Sequence, residues 1–109
     1  MKFLISVIDT ATRSPHSAEE IAAINAFNDK LQTAGQRVLA VGLESPKDAI
    51  VIDARNNQLN QVSGPLHDTT EFASGLWVID VSSREAAIQL AEEGSRACNR
   101  KVELRPIIS

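Results

Sequence analysis

Two stretches of this chain are apolar at nearly every position: Lys2-Phe-Leu-Ile-Ser-Val-Ile-Asp9 and Gly75-Leu-Trp-Val-Ile-Asp-Val81. Successive side chains on a strand point to opposite faces. Phe3, Ile5 and Val7 therefore share one face of the first stretch, and Leu4 and Ile8 share the other. A strand that is apolar on both faces must be covered on both. The fold has to place a layer against each side of the sheet that holds these two strands.

The intervening sequence supplies one such layer. Ser17-Ala-Glu-Glu20 fits a capping box, in which hydroxyl and carboxylate satisfy each other's free backbone amides. The helix it opens runs to about Ala34, with Ile21, Ile24, Phe27 and Leu31 as its apolar stripe and Gly35 just past its end. Ser82-Ser-Arg-Glu85 repeats the box and predicts a second helix that turns Ala87, Ile88 and Ala91 inward and ends near Gly94. Residues 37–43 read as a strand closed by Ser45-Pro46. Residues 49–54 and 58–62 flank Asn56-Asn57 and read as a hairpin. Residues 101–108 form the last strand. The order β-α-β, hairpin, β-α-β predicts a ferredoxin-like α+β fold with an inserted β-hairpin, as one domain over residues 1–109. Both helices then cover the same face of a mainly antiparallel sheet. The other face is left for a second copy of the chain, so a homodimer is expected.

Composition narrows the function classes. A net charge of −3 argues against charge-driven binding to nucleic acid or to an anionic membrane. The N-terminal apolar run, interrupted by Ser6 and closed by Asp9, is short for a secretion signal and far too short to span a bilayer. Cys98 is the single cysteine and forms no internal disulfide, which with the rest suggests a soluble cytoplasmic protein.

The order of elements resembles a known family. So do the loop Ser63-Gly64-Pro65-Leu66, Glu71, the run Gly75-Leu-Trp-Val-Ile-Asp80 and the ending Val102-Glu-Leu-Arg-Pro106. They are similar to the YCII-related family, and within it to the branch with an Asp-Gly-Pro-Phe signature, the DGPF domain. Ala26-Phe-Asn-Asp-Lys-Leu31, Ala34-Gly35 and Val41-Gly-Leu43 resemble that branch's first helix and second strand. Ser63 and Leu66 stand where the branch has Asp and Phe, and Asp68 and Thr70 stand at what look like its following acidic and basic positions. The resemblance implies a dimeric α-β barrel, two ferredoxin-like domains paired sheet to sheet with a pocket at the interface. It also implies two kinds of role. Some members carry a His-Asp pair suggested to be catalytic, on a fold shared with lactone isomerases and small monooxygenases. Others are associated with sigma-factor-like regulators.

Among the residues themselves, His67 and Asp68 are candidate acid–base catalysts, because imidazole titrates near neutrality and a neighbouring carboxylate tunes it. The same loop reads equally as a solvated strand entry whose Asp and Thr side chains bond their own backbone. Ser63, Trp77 and Arg105 are candidate substrate contacts. Arg105 can clamp a carboxylate or phosphate, or it can pair with Glu103 two residues away on the same strand face. Trp77 shares a face with Ile79 and reads as a pocket wall or a core aromatic. His16, just ahead of the Ser17 cap, reads as an exposed turn residue. Cys98 reads as an inert thiol. Arg96, Arg100, Lys101 and Arg105 read as a solvated basic stretch. No His, Cys or Gly pattern has metal-site or nucleotide-loop spacing, so neither metal nor cofactor is expected. The function predicted is a small-molecule-binding protein, or an enzyme acting on a small organic substrate without a cofactor. The alternative is a non-catalytic interaction module that partners a transcription regulator.

Overall fold

Alternation along the first strand sets the architecture. In a computed structural model, which describes residues 1–108, strand β1 (Lys2–Thr10) buries Phe3, Ile5 and Val7 and leaves Leu4 and Ile8 half-buried on its other face. It leads through a turn to helix α1 (Ala18–Thr33) and strand β2 (Arg37–Gly42). A hairpin of β3 (Ile50–Asp53) and β4 (Asn60–Ser63) follows. Strand β5 (Glu71–Asp80), helix α2 (Arg84–Cys98) and strand β6 (Lys101–Pro106) complete the chain. The main sheet has the order β2-β5-β1-β6, with every neighbouring pair antiparallel, and β3 and β4 form a separate two-stranded sheet. This is the predicted ferredoxin-like arrangement with its inserted hairpin.

Both helices lie on one face, over a core of Phe3, Ile5, Val7, Phe27, Leu31, Trp77, Ile79, Val81, Ala87, Leu90, Ala91 and Cys98. Phe27 of α1 meets Trp77 of β5 edge to face, with ring centroids 5.1 Å apart. The register sets Leu39, Val78, Leu4 and Arg105 side by side on the opposite face, with Val41, Leu76, Ser6 and Glu103 in the next row. That face is therefore apolar along β2, β5 and β1, apart from Ser6, and charged along β6.

Several boundaries differ from the sequence reading, each for a local reason. Helix α1 keeps its full capping box at Ser17 and Glu20. Helix α2, however, is capped by Ser83, not Ser82: the Ser83 hydroxyl accepts from the Ala86 amide at 3.1 Å. The third helical residue is then Ala86, so no carboxylate reciprocates. The helix also runs past Gly94 to Cys98 and ends at Asn99, whose left-handed φ of 50° closes it. Gly94 is a packing position and not a terminator. A Cβ there would stand 3.2 Å from the Trp77 ring and 3.3 Å from the Phe27 ring. The inward stripe is accordingly Ala87, Leu90, Ala91, Gly94 and Cys98, and Ile88 is exposed. Ile21, expected inward on α1, is also exposed. Strand β5 begins at Glu71, four residues earlier than Gly75, because a bulge between Val7 and Ile8 lets pairing continue through Ala73, Phe72 and Glu71.

The hairpin turns at Asn56 and Asn57, with φ of 57° and 60°, a conformation asparagine tolerates better than most residues. It forms an arm that leaves Ile50, Ile52, Leu59 and Val62 exposed. The arm stretches the molecule to a radius of gyration of 15.9 Å, against about 13 Å for a compact chain of about 100 residues.

A further correction concerns Arg100, which is only 4% exposed. Its Nε donates to Asp9 Oδ2 at 3.2 Å, its Nη2 to the Ser14 carbonyl at 2.9 Å and its Nη1 to the Asn99 carbonyl at 3.1 Å. It is an internal cross-link between the end of β1, the following loop and the end of α2, not a solvated charge. Two stability measurements check these assignments. Ser17→Ala and Ser83→Ala should each cost about 1 kcal/mol in urea unfolding, and Ser82→Ala should cost nothing measurable. Arg100→Ala should cost about 3–5 kcal/mol, because Asp9 and Glu20 both lose the buried guanidinium that faces them.

Candidate functional site

The β1–α1 loop is fixed at both ends, and this brings a half-buried histidine against a pocket. Glu20 sits at the centre of the arrangement. Its carboxylate accepts from the Ser17 amide at 3.0 Å and from Asn99 Nδ2 at 3.0 Å, and the Arg100 guanidinium lies 3.7 Å away. The Asn99 and Ser17 bonds, with smaller contributions from His16 and Arg100, outweigh its partial burial and lower its pKa to about 2. Burial pushes the Asp9 carboxyl up, but the Thr10 amide and the Arg100 and Arg13 guanidiniums together hold it below its ordinary value. Glu20 in turn holds His16: Nδ1 lies 3.3 Å from Glu20 Oε1, and the side chain is only 29% exposed.

His16 lines a cavity of about 270 Å³ between α1 and the sheet. Val7, Ile24, Ala40 and Trp77 contribute apolar wall, and His16, Asn28 and Ser74 contribute polar groups. Local sequence makes the space. Ala40 lies opposite Trp77, and Gly42 pairs with Gly75, so this end of the β2–β5 ladder carries little side-chain bulk. Gly75 is further constrained, since a Cβ there would approach the Val41 carbonyl oxygen to 3.0 Å. Trp77 Nε1 donates to Asn28 Oδ1 at 2.7 Å, which locks both side chains. Cys98 also reaches this cavity, and burial raises its pKa, so it presents a thiol and not a thiolate nucleophile.

The residues singled out from sequence do not converge on one point. His67 and Asp68 are exposed and line a different cleft, of about 460 Å³, with Ala11, Ser45, Lys47, Thr69 and Phe72 at the base of the arm. Behind them Thr69 donates its hydroxyl to the Glu71 carbonyl at 2.6 Å, the local turn bonding that a strand entry would have. Ser63 is on the arm itself, paired in register with Ile50. Arg105 pairs with Glu103 Oε1 at 2.6 Å on the exposed sheet face. Trp77 cannot share a wall with Arg105, because strand parity separates them. Trp77 aligns with Ile5 and Leu104 toward the helices, whereas Arg105 aligns with Leu4 and Val78 away from them.

Three contributors to the inner cavity, His16, Asn28 and Ser74, were not read as site residues from sequence, and neither was Glu20, which holds His16 from outside it. One signal was available: His16 lies immediately before a capping box whose Glu20 is four residues on. Among the described residues no group of three or more His, Cys, Asp or Glu side chains is placed to hold a metal ion. Nor is any helix among the described residues long and apolar enough to cross a membrane.

An antiparallel sheet in the order β2-β5-β1-β6 with two helices on one face and an inserted hairpin defines a ferredoxin-like α+β protein, here with a small cavity between helix and sheet. The chain belongs to the YCII-related domain family, whose model matches residues 1–109. A search of curated proteins finds no match.

The ion network predicts an acid-sensitive loop. The pKa of Glu20 is depressed in the folded state, so its contribution is fully present above about pH 4.5 and is lost as pH falls toward about 2. Glu20→Gln should flatten this part of the stability–pH curve in urea melts. Parallel curves for the two proteins would show that the carboxylate is not held as described.

Proposed function

We propose that the chain is a small-molecule-binding domain that works as a homodimer, with the ligand taken between α1 and the sheet. The inner cavity carries this reading. It combines an apolar lining with polar groups whose positions are set by hydrogen bonds inside the protein, the pattern expected of a ligand site. Its volume of about 270 Å³ suits a small organic molecule. Trp77 is the only tryptophan and the chain has no tyrosine, so its emission reports occupancy directly. Filling the space with Ala40→Phe should abolish a ligand-induced change in Trp77 fluorescence and leave the protein folded by circular dichroism.

An enzymatic form of this reading assigns acid–base chemistry to His67 and Asp68 in the arm cleft. Its support is that both line one cleft with Lys47. His67→Ala and Asp68→Asn then remove turnover without changing the melting temperature. Loss of ligand response on Ala40→Phe, with none on these two substitutions, assigns the function to the inner cavity.

The dimer reading rests on the second face of the sheet. Leu39 and Val41 are exposed, and Leu4, Ile8, Leu76 and Val78 are only half-covered. A second sheet laid on this face buries all six, and a two-fold axis makes the contact self-complementary. On this reading Val78, and not Trp77, faces the partner, since Val78 aligns with Leu4 away from the helices. Val78→Asp should yield a monomer by light scattering at micromolar concentration, because an unpaired carboxylate cannot be buried between two apolar sheets. A wild-type protein that stays monomeric at high micromolar concentration overturns this reading. The alternative role, an interaction module for a regulator, is supported by the apolar arm, which exposes Ile50 and Ile52 on one face and Val62 on the other to a protein partner.

A further inference from the structure

The hydrogen-bonding state of the cavity wall selects what can fill it. An indole nitrogen only donates, so Trp77 Nε1 fixes the Asn28 amide with its oxygen toward the indole. The Asn28 Nδ2 donor is left over. A carboxylate as acidic as Glu20 is ionised at any physiological pH and only accepts, so the His16 ring carries its proton on Nδ1, facing Glu20 Oε1. In the neutral ring Nε2 is then a lone-pair acceptor. The Ser74 hydroxyl is directed to the Val7 carbonyl at 3.4 Å, so the side-chain groups left for a ligand are the Asn28 donor, the His16 acceptor and the Ser74 oxygen, in an otherwise largely apolar lining. Neither Lys nor Arg lines it. An anion entering would find no cation in the lining and face the lone pair of Nε2.

We infer that the cavity takes a small, uncharged, mostly apolar molecule bearing one un-ionised hydroxyl, a phenol or a similar weakly acidic alcohol, whose O–H donates to His16 Nε2 and whose oxygen accepts from Asn28 Nδ2. This names the ligand class of the site proposed above and rests on that reading. His16 is the specificity-determining residue and Glu20 the positioning residue behind it.

The test uses three probes of similar size, phenol, toluene and benzoate, titrated into the full-length protein by calorimetry. The buffer is held at about pH 8. Toluene is the more apolar of the neutral pair, so a preference for phenol requires the hydrogen bonds. Phenol should bind about tenfold more tightly than toluene, and benzoate should bind more weakly than either. His16→Leu should abolish the preference, so that phenol binds no more tightly than toluene to the same variant. Nitrogen NMR of the wild type gives a readout that does not depend on the variant folding. The His16 Nε2 resonance should be that of an unprotonated nitrogen and should move with phenol but not with toluene. Equal affinity for phenol and toluene, tighter binding of benzoate, or a proton on Nε2 overturns the inference and leaves the cavity as a site of another specificity. Failure of both phenol and toluene to bind overturns the cavity reading together with it.

Discussion

Arg100 is the cation on which the site's geometry depends. Its guanidinium reaches the last part of β1 through Asp9, the following loop through Ser14 and the end of α2 through the Cys98 and Asn99 carbonyls. These segments are far apart in sequence and are joined at one side chain. A buried ion pair is weak support for stability as such, since desolvation offsets much of the attraction. Here its effect is geometric. It turns a loop that would otherwise be solvated into a fixed bracket, and through Glu20 that bracket sets the ring orientation of His16. Arginine suits the place because its planar fork offers donors in several fixed directions, whereas a lysine would satisfy one or two acceptors with no directional control.

The fold was largely legible in the sequence. Two strands apolar on both faces, two serine-led helices and an Asn-Asn turn specify the order of elements and the side on which the helices lie, because these are local signals of period and capping. The errors fell where a local signal competed with packing. Ser82 completes a better-looking capping box than Ser83, yet Ser83 opens the helix, with a simple hydroxyl cap. Gly94 looks like a helix end, but the space above it is filled by Trp77 and Phe27. Arg100 sits in a basic stretch that reads as surface, and nothing nearby in sequence indicates that Asp9, ninety-one positions earlier, will meet it.

The site was less legible for a related reason. His67 and Asp68 attract notice because they are adjacent, but sequence adjacency on a loop does not fix where two side chains point. His16 and Glu20 are separated by a helix cap, and Asn28 and Trp77 by forty-nine positions, yet each pair is within hydrogen-bonding distance. The inner cavity exists through what is missing, the side chains of Gly42 and Gly75 and the small volume of Ala40. An absence of bulk at three positions across two strands is visible only once the register of those strands is known. Strand parity likewise decides that Trp77 and Arg105 serve opposite faces, and it decides this only when both strands are aligned on β1.

The β3–β4 arm has a consequence for how the molecule comes apart. A two-stranded hairpin is at best marginally stable on its own in water, and this one exposes most of its apolar side chains to solvent. Its ladder can therefore open without disturbing the helices or the four-stranded sheet. Amide protons of residues 50–53 and 60–63 should exchange far faster than those of β1 and β5, so that opening of the arm and unfolding of the body appear as two separate kinetic classes in one protein. The left-handed turn at Asn56 and Asn57 is then the natural point for a protease to cut first, with the body still folded afterwards.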